Sequence, residues 1–177
     1  ILMVDVDPVN YIFFYTPKRR IEGCKACLSN WYTSVFSSDG IKFENVEKWI
    51  MYEKAKLFKD HITALDILNE TTPNIIRHMG RRVKNFNNDI WLKHRYEIVF
   101  NGCYLKFIQD KNLMNYLIST EPLVLIYANP YHKIWGIGYN EKDANIVGTS
   151  QWGENLLGKI LMDVRTALIQ DQLIISG

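Results

Sequence analysis

The sequence has few of the features that mark a membrane protein or a disulfide-stabilised protein. No apolar run approaches the ~20 residues of a transmembrane helix. The N-terminus lacks the basic start and the cleavage site of a signal peptide. The 3 cysteines are an odd number, which favours free thiols in a reducing compartment. We therefore expect no membrane association and a cytoplasmic location, or a nuclear one if the source is eukaryotic.

Metal-binding patterns are equally scarce. Cys24 and Cys27 form a C-x-x-C pair, but the chain contains no second pair of this kind and no H-x-x-x-H pair. A structural zinc ion needs such a second pair of ligands. We therefore expect no metal site.

An excess of charge of one sign is also missing. The net charge of +2 is too small to indicate a nucleic-acid-binding surface by itself. Apolar residues make up 47% of the chain and charged residues 23%, which is typical of a globular domain and excludes disordered, collagen-like and coiled-coil proteins. No linker rich in Gly, Ser or Pro divides the 177 residues. We expect an N-terminal extension over residues 1–10 and one compact domain over 11–172.

Turn signals and hydrophobic periodicity predict that this domain is α+β and mainly α-helical. Residues 11–15 and 123–127 are β-type runs, and the Asp39-Gly40 turn precedes a short extended piece over 41–43. Gly102 lies inside a helical pattern and is expected to bend or split that helix. Six helices are expected. Three are predicted from their starts, which are after the N-cap Asn45, at Thr72-Pro73 and at Asn88-Asp89, and three from their ranges, which are 62–68, 113–118 and 153–169.

Three segments are more polar and aromatic than a core requires. They are the Leu-Ser-Asn-Trp-Tyr run at 28–32, Glu47 in the first turn of the helix that Asn45 caps, and two Trp-Gly pairs at 135–136 and 152–153. Glycine lets a ligand approach the backbone closely. The helix dipole favours the ionised form of Glu47 by about 0.3–1 kcal/mol, although Glu47 can equally serve only to stabilise the helix. These residues describe a pocket without identifying its ligand.

Together with further short motifs, these segments resemble the NADAR family, the YbiA-like N-glycosidases. The matching motifs in chain order are LSNWY at 28–32, DGIKFxxVE at 39–47, KA at 54–55, GR at 80–81, Trp91, IWGIG at 134–138 and WGxNLLGK at 152–159. The similarity extends over roughly residues 12–170. It implies a compact, mainly α-helical YbiA-like fold, cleavage of an N-glycosidic bond to ribose, and no metal or redox cofactor.

The resemblance also implies catalytic residues. Glu47 occupies the position of the family's functional glutamate, and Trp91 and Trp135 match functional tryptophans. Negative charge near the anomeric carbon stabilises the oxocarbenium-like sugar of glycosidic cleavage. His132 stands where relatives commonly have an acidic residue, and an imidazole can exchange a proton near neutral pH. We predict that these four residues are catalytic, while core packing is the structural alternative for Trp91.

Further residues are predicted to bind the substrate. Lysine and arginine suit a phosphate, and a lysine with a lowered pKa can instead form a Schiff base with an opened ribose. Asparagines suit hydroxyl or base recognition, with capping or turn roles as the alternative. The predicted substrate-binding residues are Asn30, Trp31, Lys54, Arg81, Arg95, Gly136, Trp152 and Asn155.

Two positions depart from the family pattern. Tyr127 stands where many relatives have a glutamate, and His132 replaces an acidic residue. Both changes remove negative charge beside the expected site, so the usual pair of carboxylates is not present at these positions.

The sequence therefore predicts an N-glycosidase that hydrolyses a ribosyl-base bond. The resemblance implies two substrate groups: ADP-ribose on guanine, with nucleic acid as its carrier, and ribosylamino-pyrimidine phosphates of the riboflavin pathway. The basic residues of the loop over 16–26 favour the former, because they can bind a pyrophosphate or a nucleic-acid backbone; they are Lys18, Arg19, Arg20 and Lys25. The alternative is a non-catalytic module that binds ADP-ribose or a related nucleotide.

Overall fold

A computed structural model describes residues 10–15 and 25–176. Most of this part of the chain is helical, and the strands are few and short, which confirms the α+β, mainly α-helical fold class. The predicted extension over 1–10 lies almost wholly outside the described residues. The helices are α1 (Val46–Leu57), α2 (His61–Asn69), α3 (Pro73–Arg81), α4 (Asn88–Gln109), α5 (Lys111–Ser119), α6 (Glu141–Val147) and α7 (Leu156–Ser176).

The strands form two small sheets among the described residues. They are β1 (Tyr11–Phe14), β2 (Phe36–Ser38), β3 (Ile41–Phe43) and β4 (Val124–Tyr127). β1 pairs with β4 in parallel, with Phe14 opposite Tyr127. β2 and β3 form an antiparallel hairpin through the predicted Asp39-Gly40 turn, where both residues adopt positive φ angles of 49° and 78°. Such a turn matches the right-handed twist of the two strands it joins.

Local capping signals set the start of α1. The side chain of Asn45 accepts a hydrogen bond from the backbone nitrogen of Lys48 at 2.9 Å, which confirms the predicted N-cap. Glu47 therefore lies in the first turn of α1. Its backbone nitrogen also donates to the carbonyl oxygen of Asn30 at 3.0 Å, which joins the start of α1 to the 28–32 segment.

The prediction that Gly102 bends or splits its helix is wrong. α4 runs without interruption from Asn88 to Gln109. A Cβ atom at position 102 would lie 2.3 Å from Cδ1 of Trp49, so glycine is required for the close approach of α1 to α4. The indole nitrogen of Trp49 then donates to the carbonyl oxygen of Ile98 at 2.9 Å.

The last helix begins three residues later than predicted. The backbone nitrogens of residues 153–157 donate hydrogen bonds to the carbonyl oxygens of 133–137, including Glu154 N to Lys133 O at 2.7 Å. α7 begins at Leu156, within this pairing, and continues to Ser176. It packs on α4 and β4 around the main hydrophobic core.

Cys103 is a free cysteine among the described residues. Cys27 and Cys103 are both buried, and Cys24 lies outside the described residues. Burial raises the pKa of the Cys103 thiol to about 12, so it stays protonated. In residues 10–15 and 25–176, no His, Cys, Asp and Glu side chains cluster in a way that could hold a metal ion, and no helix is long and apolar enough to cross a membrane.

Candidate active site

One pocket collects most of the residues that the sequence singled out. It opens between α1, α3, the start of α4 and the loop that follows β4, and its cavity volume is about 200 Å³. Eight of the twelve predicted site residues line it, and they come from all of these segments. They are Asn30, Trp31, Glu47, Lys54, Arg81, Trp91, His132 and Trp135.

Glu47 is the one carboxylate among the described residues that line the pocket. It is enclosed by protein yet remains partly exposed to the cavity. Burial raises its pKa to about 7, although the charges of Arg77 and Arg81 act in the opposite direction. The helix dipole favours the ionised form of Glu47, but the cost of burying the charge exceeds this effect and that of the two arginines. Near neutral pH Glu47 can both accept and donate a proton.

Three cations line the pocket together with this glutamate. Arg77 and Arg81 lie one helical turn apart on α3, and Lys54 lies on α1. The guanidinium of Arg77 stacks on the indole of Trp31 at 4.6 Å from the ring centroid. Burial lowers the pKa of Lys54, whose Nζ donates to the carbonyl oxygen of Gly80 at 2.8 Å. The pocket is thus electropositive, with one carboxylate that is itself easily neutralised.

Lys54 also contacts two aromatic rings. Its Nζ lies 4.5 Å from the ring centroid of Phe86 and 5.5 Å from that of Trp91. Trp91 packs against the hydrophobic core with one side and lines the pocket with another. The two interpretations of Trp91, core packing and ligand contact, are therefore compatible.

Tyr127 and Asn129 form the wall contributed by β4 and the loop that follows it. The side-chain amide of Asn129 donates to the phenol oxygen of Tyr127 at 3.0 Å, so the phenol's own hydrogen is left to donate elsewhere. The Tyr127 ring stacks on Phe14 with centroids 5.3 Å apart. Burial raises the pKa of Tyr127 to about 12, and the charge of Glu47 contributes in the same direction. Tyr127 is thus a neutral hydrogen-bond donor beside the carboxylate.

His132 and Trp135 lie further along the same loop. His132 is exposed, at the open side of the pocket. Trp135 is held from outside by Arg95, whose guanidinium lies 5.7 Å from a Trp135 ring centroid and 4.0 Å from Glu154. Arg95 was predicted to contact the substrate, but it does not line the pocket and instead supports the wall that Trp135 forms.

Three more predicted substrate-binding residues have structural roles outside the pocket. Asn155 adopts a positive φ of 52° and binds the β4 backbone, accepting from Tyr127 N at 2.9 Å and donating to Leu125 O at 2.8 Å. Trp152 packs on Tyr11 and Phe13, away from the cavity.

Gly136 is the third of these residues. A Cβ atom there would lie 2.6 Å from the carbonyl oxygen of Tyr127, so this glycine lets the loop fold back against β4. The structure therefore does not bring these three residues to the pocket, and their predicted contact with substrate stays a prediction. A polar or Trp-Gly pattern in sequence does not distinguish a ligand contact from a tight backbone contact.

Other residues that line the pocket were not predicted from the sequence. Arg77 carries the clearest signal in retrospect, since it precedes the predicted Arg81 by four residues and so shares its helix face. Asn129 precedes Pro130 and is indistinguishable in sequence from a turn residue. Ile50, Met51 and Leu157 belong to apolar helix faces, and no sequence signal separates them from core residues.

The basic loop does not help to define the site. Lys18, Arg19 and Arg20 lie outside the described residues. Lys25 pairs with Glu141 at 3.5 Å, and both side chains are exposed. The preference for ADP-ribosyl-guanine that rested on this loop therefore receives no structural support.

Comparisons with known proteins place the chain in a family. The family model described as the NADAR domain matches residues 13–169. The chain is 35% identical over 161 residues to the N-glycosidase R617 of Acanthamoeba polyphaga mimivirus, covering 88% of this chain and 94% of that protein. It is 31% identical to Protein irg-1 of Caenorhabditis elegans over 81% of this chain and 76% of that one.

Two further similarities are more limited. The chain is 28% identical over 118 residues to the chloroplastic riboflavin biosynthesis protein PYRR of Zea mays, covering 62% of this chain and 17% of that protein. The NMR structure of the E. coli protein YbiA superimposes with a TM-score of 0.74 at 24% identity, covering 93% of this chain and 88% of that one. This second similarity is one of fold.

Proposed function

The chain belongs to the NADAR family and is an N-glycosidase, and we propose that it hydrolyses the bond between ribose and a nucleobase or base-like nitrogen, with Glu47 as the central catalytic group. The observation that carries the proposal is the position of Glu47. A carboxylate with a pKa of about 7 lies in a pocket walled by Trp31, Trp91 and Trp135. Indole rings suit a planar base, and the carboxylate suits the cationic sugar that forms when the bond breaks.

The proposed reaction uses Glu47 in its ionised form. The bond from the anomeric carbon to nitrogen breaks, and its electron pair leaves with the base. Water adds to the anomeric carbon and transfers a proton to the Glu47 carboxylate, whose charge also stabilises the oxocarbenium-like transition state. The departing nitrogen takes up a proton, for which His132 at the open side of the pocket is the proposed donor. Tyr127 donates a hydrogen bond to the substrate.

Lys54 offers a second route for the attack on the sugar. Burial lowers its pKa, which increases the fraction of neutral amine that can act as a nucleophile toward an opened ribose. Lys54 also carries no ion pair within the described residues. Reduction with borohydride during turnover would trap a Schiff base on Lys54, and a failure to trap one would favour direct attack by water.

Two substrate groups remain as proposals. ADP-ribose linked to guanine is the first, with nucleic acid as its carrier. A ribosylamino-pyrimidine phosphate is the second, and the similarity to a plant protein named for riboflavin biosynthesis supports it. Both substrates combine a planar base, a ribose and at least one phosphate, which suits a pocket lined by indoles and cations.

The decisive experiment is a turnover assay on both substrates. ADP-ribosylated guanosine in DNA and the ribosylamino-pyrimidine phosphate are incubated with the protein, and released ADP-ribose or ribose phosphate is measured by mass spectrometry. We expect release from one of them, with kcat reduced about 10²- to 10⁴-fold in Glu47→Gln. Glu97→Gln is the matched control, because Glu97 is exposed on α4 and does not line the pocket.

The same assay, together with a measurement of ADP-ribose binding, tests the alternative of a binding module. That alternative is favoured by one observation, namely that the pocket holds Glu47 without a second carboxylate among the described residues. Tight ADP-ribose binding with no release from either substrate would support the module. Release that depends on Glu47 would exclude it.

A further inference from the structure

The hydroxyl group of Tyr127 offers the pocket a hydrogen-bond donor. Tyr127 lines the pocket, and its phenol oxygen accepts a hydrogen bond from Nδ2 of Asn129 at 3.0 Å. A phenol has an O–H hydrogen to donate in addition to its acceptor lone pairs. Within residues 10–15 and 25–176, no group accepts that hydrogen. The donor is therefore left for a ligand.

Asn129 determines that Tyr127 donates rather than accepts. Its Oδ1 atom accepts from the backbone nitrogen of Tyr131 at 2.9 Å, and a backbone N–H group can only donate. The amide is thereby oriented with Nδ2 toward the phenol oxygen of Tyr127. Because Nδ2 carries hydrogens and accepts no hydrogen bond, the phenol hydrogen cannot point toward Asn129.

The phenol ring is also held in place without a ligand. The carbonyl oxygen of Tyr127 accepts from the backbone nitrogens of Asn129 at 2.9 Å and of Ile137 at 3.0 Å. The ring stacks on Phe14 with centroids 5.3 Å apart. A preorganised donor loses little conformational entropy on binding, and it disfavours ligands that leave it unpaired.

Glu47 supplies the opposite polarity in the same pocket. Glu47 and Tyr127 both line it, and the charge of Glu47 is near enough to raise the pKa of Tyr127. An ionised carboxylate accepts hydrogen bonds and does not donate them. A ligand group that contacts both residues must therefore accept from Tyr127 and donate to Glu47, as a hydroxyl group does. A riboside carries such a group, the 2-hydroxyl, on the carbon next to the anomeric carbon.

We propose that Tyr127 and Glu47 together bind the 2-hydroxyl of the ribose, with Asn129 positioning the phenol hydrogen, so that the site selects ribosides over 2-deoxyribosides. This inference rests on the proposed function, in which Glu47 acts at the anomeric carbon. One carboxylate oxygen accepts from the 2-hydroxyl, and the other remains for the attacking water. Hydrogen bonds to this hydroxyl strengthen as positive charge develops on the sugar.

The test is equilibrium binding by isothermal titration calorimetry at about pH 8, above the pKa of Glu47. The probes are ribose 5-phosphate and 2-deoxyribose 5-phosphate. Both carry the same phosphate, so the ratio of their Kd values measures the contribution of the hydroxyl alone. The variants are Tyr127→Phe, Asn129→Asp and Tyr131→Phe. The last is the matched control, because Tyr131 follows β4 in the same loop, is 81% exposed and does not line the pocket.

We expect the wild-type chain to bind ribose 5-phosphate about tenfold or more tightly than the deoxy sugar, which leaves the Tyr127 donor unpaired. Tyr127→Phe removes the donor and lowers this ratio to about threefold or less. Tyr131→Phe keeps the ratio within about twofold of the wild-type value.

Asn129→Asp is expected to lower the ratio as Tyr127→Phe does, although the phenol is retained. An aspartate oxygen accepts the phenol hydrogen and so turns it away from the ligand. The added negative charge weakens the binding of both phosphorylated sugars alike and cancels in the ratio. A merely structural role of Asn129 would likewise change both affinities without changing the ratio.

Four results would overturn the inference: no binding of either sugar or a wild-type ratio below about threefold, an unchanged ratio in Tyr127→Phe, an unchanged ratio in Asn129→Asp, or an equal loss in Tyr131→Phe. A thermal melt of each variant checks that it is folded. The inference and the proposed function fail separately. A ratio that depends on Tyr127 without turnover would contradict only the glycosidase. Turnover that depends on Glu47, in a chain that binds both sugars equally, would contradict only the recognition of the hydroxyl.

Discussion

At the scale of single residues, Glu47 shows how opposing interactions set the protonation of a site. The N-terminal turn of α1 and the two arginines of α3 favour its charge, while burial opposes it. Burial has the larger effect, because a carboxylate loses far more solvation free energy than a helix dipole returns. The result is a group that titrates near the pH at which most enzymes work.

Glu47→Gln is expected to stabilise the protein at neutral and alkaline pH. A carboxyl group whose pKa is raised from 4.5 to about 7 contributes its full stability below pH 4.5 and loses it as the pH rises through 7. Glutamine never ionises, so the variant avoids this cost. We expect the variant to exceed the wild type by about 1–3 kcal/mol at about pH 8 and by less at about pH 5.

Urea unfolding at the two pH values measures this difference. Glu97→Gln, at an exposed position of α4, is the control and should show a difference that does not grow with pH. A Glu47→Gln variant that is less stable than the wild type at about pH 8 would mean that the carboxylate makes stabilising contacts that outweigh its burial.

At the scale of elements, the site depends on how β4 is joined to α7. Asn155 precedes α7 and binds the backbone of β4 on either side of Ile126. Gly158 lets α7 approach, since a Cβ atom there would lie 2.2 Å from the carbonyl oxygen of Leu125. These contacts fix the strand that carries Tyr127, so residues outside the pocket determine the position of its wall.

Substitution of Asn155 is expected to lower stability and to leave substrate affinity nearly unchanged. Asn155→Gly loses two hydrogen bonds to buried backbone groups and costs about 2–3 kcal/mol. Asn155→Ala is expected to lower the free energy of unfolding by about 1–2 kcal/mol more than Asn155→Gly does. The φ of 52° is strained for alanine and free of strain for glycine.

Urea unfolding measures both variants, and KM is measured well below their melting temperatures. A KM within about threefold of the wild type is expected for Asn155→Gly. A KM increase of tenfold or more in a fully folded variant would instead support the predicted role of Asn155 in binding the substrate.

At the scale of the whole molecule, the pocket is assembled from segments that lie far apart in sequence, and a buried lysine joins two of them. Lys106 of α4 donates from Nζ to the carbonyl oxygens of Cys27 and Ser29, the latter at 3.0 Å. It thereby holds the turn that precedes Asn30 and Trp31. Burial lowers the pKa of Lys106 to about 8. The carbonyl dipoles stabilise its charge, but no carboxylate among the described residues lies within ion-pair distance to offset the cost of burial.

Lys106→Met is expected to destabilise the protein by about 2–4 kcal/mol, because it leaves two buried carbonyl groups without this donor. The difference should increase with pH. A lysine whose pKa falls from 10.5 to about 8 contributes stability that is fully present above 10.5 and is lost as the pH falls through 8. The wild type should therefore gain stability relative to the variant between about pH 8 and pH 10.

Urea unfolding of both proteins across this pH interval provides the measurement, with Lys111→Met, at an exposed position of α5, as the control. A difference that shrinks as the pH rises would show that charged Lys106 is the stabilising form. Since the turn carries Asn30 and Trp31, KM should also rise in the variant.

Local sequence accounts for most elements of the fold and for many of the side chains that line the pocket. Asn45, Asp39-Gly40 and Pro73 act on neighbouring backbone, so their effects on α1, the hairpin and α3 follow from local sequence alone. Glu47 and Trp31 could be recognised as candidate site residues from the sequence, because their segments are more polar and aromatic than a hydrophobic core requires.

Which of these residues share the cavity depends on packing between elements that are distant in sequence. Gly102 permits a helix contact instead of breaking a helix, Asn155 binds the backbone of β4, and Arg77 lines the same pocket as Glu47. Each outcome depends on an element distant in sequence. The pKa of Glu47 is of the same kind, because burial is a property of the packed fold and not of the residues beside it.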